Sequence, residues 1–230
     1  TNSLNYPYIE IRNLPTTKLV SKLSSTVEGV SKYQDFKYHG YVANLNGLGV
    51  IGFNKVARSS WYQDNSQKTL WNVTENNSAF RGATYRTYTQ LVDAGLQFSF
   101  VLNTQPSSLI NSTVNEQTQS TVNGVYKFQL DKQTSKDYQT NVVNETTYQY
   151  NPVFLLPEKQ ILKNYLGNST TPTGTFTTTT LFENNPAGQG SDYFIGRVKK
   201  STNLQQAYIN AISADTEYFY ENNRIKKIKK

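Results

Sequence analysis

The sequence predicts a mainly β protein built from antiparallel strands. Aromatic residues make up 13% of the chain and include 17 tyrosines, and aromatic side chains, like β-branched ones, suit a pleated sheet. Several stretches alternate in polarity with period two, which indicates strands with one buried face. Clusters of Asn, Gly, Ser and Pro separate these stretches at a spacing of about a dozen residues. Together the three observations predict strand–turn–strand units that pair into an antiparallel sheet.

The clearest alternating stretches lie in the second half of the chain. In each of them aromatic, aliphatic or threonine side chains fall on one side of the predicted strand. Helical periodicity is confined to two short segments, 204–214 and 91–95. The strand residues are Tyr126, Phe128, Leu130, Tyr148, Tyr150, Phe176, Thr178, Thr180, Phe182, Tyr218 and Tyr220, and the turn signals lie at 103–108, 123–124, 167–168, 184–190 and 222–223.

Three glycines in the stretch NGLGVIGF raise the question of a nucleotide site. Gly47, Gly49 and Gly52 have the G-x-G-x-x-G spacing of a dinucleotide-binding turn. Such a turn follows an apolar strand and opens a helix, within repeated βαβ units. Residues 41–46 are too polar for a buried parallel strand, and no repeated βαβ pattern follows. We therefore interpret the glycines, with the adjoining Phe53, as a motif for tight turns or close backbone approach within a sheet.

Charge and residue usage argue against several classes of function. The net charge of +7 is concentrated in 197–200 and 224–230, where basic residues alternate with Ile and Val, as on the solvent face of an edge strand. We therefore expect no nucleic-acid partner. There is no Cys and a single histidine, His39, and the acidic residues lack the spacing of a calcium loop. No G-x-S-x-G elbow is present, so we expect no enzyme activity, no cofactor and no metal.

Two tryptophans and a neighbouring tyrosine form a candidate ligand platform. Trp61, Tyr62 and Trp71 would support carbohydrate binding if they lay exposed on one face, because sugars stack on aromatic rings. The alternative is that these large rings pack in the core. The sequence therefore leaves two classes of function open: a structural scaffold, and an adhesive or carbohydrate-binding β-module of a surface protein.

The sequence contains no pattern of a targeting or membrane-spanning segment. No run approaches the roughly 18 apolar residues of a membrane helix, and the first residues lack the features of a signal peptide. The chain contains no methionine. We expect no membrane span and interpret the chain as a segment of a longer polypeptide.

An internal repeat divides the chain into two predicted regions. Residues 146–151 and 216–221 share the form T-x-Y-x-Y-[N/E], followed by a polar turn and an aliphatic-basic strand, and 180–185 is a degenerate third copy. Repeated units of this kind stack on their neighbours to form a continuous sheet. We assign 1–120 to a β region that contains the glycine motif and 121–230 to the repeats.

The repeat resembles the YD repeat, Y-x-Y-D-x-x-G-R-L, of the RHS (rearrangement hotspot) family. In Thr216–Ile225, Glu221 stands in place of the aspartate, the turn glycine is missing, and Arg224-Ile225 replace Arg-Leu. These departures leave a single copy weakly specific.

The glycine stretch strengthens this resemblance. Residues 38–56 are similar to the segment ahead of the regular repeats in shell proteins of Tc-type insecticidal toxin complexes, which reads roughly Y-x-G-Y … G-x-G-F-L-G-F-x-K-V. Val50-Ile51 replace the Phe-Leu of that pattern. Residues 184–185 and 193–200 also resemble this region, so that the resemblance extends from Tyr33 to Lys230.

The resemblance implies an architecture, a set of partners and a location. In the RHS family, long strands wind as a continuous sheet into a hollow cocoon that encloses a C-terminal toxin or effector. The chain would then be non-catalytic shell wall of a secreted or surface protein of bacterial origin. Its partners would be the remaining repeats, the toxin or effector cargo, or secretion machinery. Nothing here matches the self-cleaving aspartyl core domain of the family. We expect an open, incomplete array whose strand with Tyr218 and Tyr220 pairs with such a partner.

Overall fold

The computed structural model describes residues 4–12, 18–102, 108–122, 125–207 and 210–230. Within them the regular structure consists of 14 β-strands and two short 3-10 helices, Ser78–Phe80 and Gly190–Asp192, with no α-helix. The mainly β, antiparallel fold class is confirmed. The strands are β1 Tyr8–Glu10, β2 Lys22–Val27, β3 Val30–Asn44, β4 Gly49–Ser59, β5 Thr69–Asn77, β6 Ala83–Val92, β7 Leu109–Val122, β8 Val125–Asp137, β9 Val142–Tyr150, β10 Pro157–Leu166, β11 Gly174–Asn185, β12 Phe194–Ala207, β13 Asn210–Glu221 and β14 Arg224–Lys229.

The hydrogen-bonded order follows the sequence. From β3 to β14 each strand pairs with the next, while β1 and β2 pair with opposite ends of the long strand β3. In the part of the chain that the structure describes, β14 has β13 as its neighbour and no strand on its other side. The sheet is therefore open, and all six residues of β14 are exposed, as predicted for a basic edge strand. The same expectation is wrong for the basic stretch 197–200, which lies in β12 between β11 and β13.

The chain divides into two compact units. The first comprises residues 1–115 and 136–140, and the second comprises 116–135 and 141–230. The division falls within β7, as does the predicted boundary between the glycine-motif region and the repeat region. That functional assignment of 1–120 and 121–230 stays a prediction.

The first unit has a core on one face of its strands. Trp71 lies at the centre and stacks on Phe98, with 4.2 Å between the ring centroids and 11° between the ring planes. Phe98 belongs to the segment 93–102 that follows β6, and this segment covers the face. The buried residues are Ala57, Trp71, Val73, Tyr88, Val92 and Leu109, with Phe98, Phe100, Leu102 and Tyr138 packed against them.

The second unit lacks such a cover. Among its described residues every apolar side chain is at least partly accessible, and the one buried residue is Thr146. Its two sheet faces differ in charge along the paired rows of β9 to β13. One face carries charged side chains: Glu145, Lys163, Lys159, Asp215, Lys200 and Glu217. The rows of the other face are uncharged: Asn144–Asn164–Gly174–Ala207–Asn210, Thr146–Leu162–Phe176–Gln205–Ile212 and Tyr148–Gln160–Thr178–Asn203–Ala214.

Three local expectations need correction or fall outside the described residues. The helical pattern at 204–214 does not correspond to a helix in the described residues, because 204–207 belong to β12 and 210–214 to β13, and the segment 91–95 is the end of β6 and a turn. Leu204 and Ser213 are paired across the two strands, so strand pairing overrides the weak helical pattern. The turn signals at 123–124 and 103–107 lie outside the described residues.

The strand with Tyr218 and Tyr220 does not lack a neighbour, contrary to expectation. This strand, β13, pairs with β12 on one side and β14 on the other. Asn222 and Asn223 form the two-residue connection to β14, both with positive φ, +49° and +62°. Positive φ at both positions is what a type I′ hairpin requires, so β14 folds back on β13.

Candidate functional site

The glycine motif forms the β3–β4 hairpin and the bulge beside it. Gly47, Gly49 and Gly52 have φ values of +91°, +69° and +120°, and a Cβ added at any of them would meet nothing within 4 Å. The glycines are therefore required by backbone conformation and not by lack of space. Gly52 lies where the β3–β4 register shifts between Val42 and Ala43. A turn and a bulge account for all three glycines.

Phe53 packs against two tyrosines of the preceding strand. Its ring centroid lies 5.0 Å from that of Tyr38 and 4.9 Å from that of Tyr41, both on β3. A Cβ at Gly40, between these tyrosines, would come within 3.0 Å of the Asn54 side chain. Residues 38–41 thus pack directly on residues 52–54, so the two segments form one structural unit.

The candidate platform of three aromatic residues is not formed. Trp61 is 46% exposed, but Tyr62 is 8% and Trp71 4% exposed. Trp71 is covered by Phe98, and the Tyr62 hydroxyl donates to Asp35 at 2.7 Å. Tyr62 and Trp71 are therefore buried, and of the three residues Trp61 alone is accessible.

A buried carboxylate that sequence reasoning missed lies between two cations. Glu75 is 1% exposed; Lys55 approaches its Oε1 at 2.9 Å, and Arg86 approaches its Oε2 at 2.5 Å. The three residues are directly paired across adjacent strands, Lys55 with Glu75 and Glu75 with Arg86. The Tyr85 hydroxyl also donates to Glu75, at 2.6 Å. We call Lys55, Glu75 and Arg86 the charge ladder.

Burial and the neighbouring donors have opposite effects on the pKa of Glu75. Burial opposes the ionisation of Glu75, but hydrogen bonds from Tyr85, Lys55 and Arg86 outweigh it and hold the pKa below its usual 4.5. Tyr88 lies beside the ladder, where burial and the charge of Glu75 raise its pKa to about 12. Glu75 is therefore a carboxylate, and Tyr88 a neutral phenol, at neutral pH.

The two Y-x-Y repeats make the same hydrogen bond. The second tyrosine of each repeat donates its hydroxyl at 2.8 Å to a carbonyl of the preceding strand, Tyr150 to Leu130 and Tyr220 to Val198. The two copies of the Y-x-Y pattern thus share this hydrogen bond. The ring centroids of Tyr148 and Tyr150 lie 6.4 Å apart, in a stacked arrangement. Tyr218 pairs with Ile228 of β14.

The described residues contain no group of three or more His, Cys, Asp or Glu side chains placed to bind a metal ion. His39 is exposed on β3, and its ring lies 5.9 Å from that of Phe100. None of the helices in this part of the chain is long and apolar enough to cross a bilayer.

Comparison with solved structures identifies related folds. The chain is similar to part of the TcdB2–TccC3–Cdc42 crystal structure, with a TM-score of 0.58 and 9% identity over 81% of this chain. It is also similar to TcdB2–TccC3 without its hypervariable C-terminal region, with a TM-score of 0.55 and 8% identity over 77% of this chain. The likeness is one of fold. The chain spans 12% of the length of each of these chains. No family model matches the sequence, and neither does any curated protein.

Proposed function

We propose that the chain is a non-catalytic β-scaffold, a segment of an RHS-type shell in a large secreted bacterial protein that encloses or delivers a toxin or effector. The observation that carries the proposal is the fold, which matches part of the TcdB2–TccC3 chains over 81% of this chain. The glycine motif and the Y-x-Y repeats, which resemble those of RHS shells, support the same function.

The second unit has the properties expected of a wall. Its sheet has no apolar layer on either face among the described residues, which suits a wall with solvent on both sides. The two faces differ in charge along the regularly paired rows of β9 to β13, where the charged residues lie on one of them. Charged side chains require hydration, and an enclosed volume shared with a polypeptide offers less water. The charged face is therefore the outer surface in this proposal, and the uncharged face is the inner one.

Adjacent glutamines on β12 provide a direct test of this arrangement. Gln205 and Gln206 are both exposed and point to opposite faces. Because the chain contains no cysteine, Gln205→Cys and Gln206→Cys each introduce a single thiol. A maleimide on a large polymer, too bulky to enter a shell, should label both variants of the 230-residue chain. In the complete natural polypeptide it should label Gln206→Cys and not Gln205→Cys, as read by gel shift.

The outcomes separate the parts of the proposal. Equal labelling of both thiols in the complete polypeptide would exclude a closed shell. Protection of Gln206→Cys alone would support a shell but reverse its inner and outer faces. The polypeptide without either substitution gives the background from other cysteines.

Activity assays address the non-catalytic role. Esters, glycosides and nucleotides should give no turnover above background, and turnover abolished by one point substitution would contradict the proposal. The alternative carbohydrate-binding module gains no support, because Tyr62 and Trp71 are buried. Glycan binding that is lost in Trp61→Ala while the fold is retained would restore that alternative.

A further inference from the structure

A basic cleft in the first unit lies between β3, β4 and the segment that follows β6. It has a volume of about 490 Å³ and is lined by Lys37, His39, Lys55, Phe98, Ser99, Phe100 and Val101. The basic side chains share one sheet face, because His39 is paired with Lys55 and Lys37 with Ala57. The two phenylalanines form an apolar wall opposite them. The volume falls in the usual range of small-molecule pockets, roughly 300–1,000 Å³.

The cleft carries excess positive charge. Glu75 is shared by Lys55 and Arg86, so that the charge ladder has one positive charge more than it has negative ones. Lys37 adds a second, because no acidic partner lies within ion-pair distance of it among the described residues. Uncompensated positive charge beside an apolar wall attracts an anion, because the lower local dielectric strengthens the interaction. Lys55 is 30% exposed and can therefore still reach a ligand.

A neighbouring cavity shows that this charge is a local property of the cleft. That cavity, of about 300 Å³, shares Lys37 and Phe98 with the cleft. Its lining also includes Asp35, Asp64 and Asp93, so an anion entering it would meet carboxylates. The cleft has no acidic residue in its lining, so an anion entering it meets cations and aromatic rings.

We propose that the cleft binds a small organic anion, a carboxylate or phosphate group carried on an aromatic or apolar body. The anionic group lies between Lys37 and Lys55, where the ammonium groups donate charge-assisted hydrogen bonds. The His39 ring contributes a further polar contact beside it. The body of the ligand packs against Phe98 and Phe100, which would otherwise leave an apolar wall open to water. This site is independent of the scaffold function.

Titration of the 230-residue chain with phenyl phosphate, benzoate and inorganic phosphate tests the proposal. Calorimetry should show saturable binding of an aromatic anion, tighter than that of inorganic phosphate. The tighter of phenyl phosphate and benzoate identifies the anionic group that the cleft prefers. Nuclear magnetic resonance should locate the shifts at His39 and Phe100.

Two lysines on the same strand provide a matched pair of variants. Lys37→Gln should weaken binding at least about tenfold, the effect of losing one hydrogen bond between charged groups. Lys32 is exposed on the opposite face of β3, so Lys32→Gln should leave binding unchanged. Both side chains are exposed, and both variants should fold.

Three results would overturn the proposal. They are the absence of saturable binding by all three probes, equal affinity for inorganic phosphate and the aromatic anions, and equal weakening by Lys37→Gln and Lys32→Gln. The last result would mean that net charge, and not the cleft, attracts the anion. The Lys55→Gln variant is less suited to this test, because it also removes a partner of Glu75.

Discussion

The two units are built from the same kind of strand but bury very different amounts of side chain. In the first unit, Trp71 and Glu75 are almost inaccessible, and the segment 93–102 packs over Trp71. In the second, the corresponding faces remain accessible, and Thr146 is the one buried residue among those described. The first unit therefore derives stability from apolar burial, while the second depends on backbone pairing and on cross-strand contacts.

This difference matches the sequences of the two units. The strands of the second unit are rich in threonine, asparagine and tyrosine, such as T-F-T-T-T-T in β11. Threonine favours extended backbone and forms cross-strand hydrogen bonds without needing a dry environment. A sheet of this kind can keep both faces hydrated, as the proposed shell wall requires.

Removal of one large aromatic side chain from each unit should give the largest difference in the free energy of unfolding between the two units. Trp71→Ala should lower the free energy of unfolding by about 3–5 kcal/mol, since it opens a cavity in the core. Phe176→Ala should cost about 1 kcal/mol or less, because Phe176 is already 36% exposed. Urea unfolding followed by far-UV circular dichroism measures both. Equal losses would show that the uncharged face of the second unit is covered in solution.

The charge ladder should give the next largest effect. Glu75→Gln keeps the shape of the side chain but leaves Lys55 and Arg86 without a counter-charge. Breaking a buried ion pair from one side costs about 3 kcal/mol or more. The matched variant Asp215→Asn breaks an exposed pair with Lys200 in the second unit and should lower the free energy of unfolding far less, because solvent screens exposed ion pairs.

The pH dependence of stability provides an independent measure of the ladder. The pKa of Glu75 is lower in the folded chain than its usual 4.5. Its contribution is therefore fully present above pH 4.5 and is lost as the pH falls through the lower, folded value. Stability of the wild type should fall below pH 4.5 more steeply than that of Glu75→Gln. Equal slopes would show that Glu75 is not held ionised by Lys55 and Arg86.

Substitution of one glycine in each unit compares the backbone requirements of the two units, and we expect these substitutions to lower the free energy of unfolding less than the loss of Glu75. Gly52 has a φ of +120° and free space around its Cα, so Gly52→Ala should cost about 1–3 kcal/mol through conformational strain alone. Gly174, in the second unit, lies outside the positive-φ region, and an added Cβ would lie 3.6 Å from Phe176. Gly174→Ala should therefore change the unfolding free energy by less than about 0.5 kcal/mol. Similar costs would mean that the bulge at Gly52 relaxes.

The sequence predicted the features that depend on neighbouring residues. Alternation identified β8, β9, β11 and β13, and the context of the G-x-G-x-x-G motif correctly pointed to sheet turns. The fold class followed from these local patterns. The weak helical pattern at 204–207 and 210–214 gave way to strand pairing, because a weak periodic signal competes poorly with neighbouring strands on both sides.

The sequence does not predict the features that depend on strand register. Lys55, Glu75 and Arg86 lie 20 and 11 residues apart, and nothing in their spacing indicates that they face one another. The same holds for the basic cleft, which depends on where segment 93–102 lies. Trp71 is buried whereas Trp61 is exposed, and the burial of Trp71 also depends on its contact with Phe98. A single sequence does not reveal these long-range pairings, since a shift of one residue would move each side chain to the other face.

The smallest expected effect concerns tyrosine hydroxyls, which should act oppositely in the two units. Tyr150 and Tyr220 each donate to a carbonyl of the neighbouring strand, so Tyr150→Phe and Tyr220→Phe should each cost about 1 kcal/mol. The Tyr88 hydroxyl of the first unit is buried and has no hydrogen-bond partner among the described residues. Tyr88→Phe removes an unsatisfied polar group and should leave stability unchanged or raise it by up to about 1 kcal/mol.

Urea unfolding of the three variants measures these changes. A loss in Tyr88→Phe as large as that in Tyr150→Phe would show that a bound water or another group satisfies Tyr88 in solution. The hydroxyl would then contribute to the first unit as the repeat tyrosines contribute to the second.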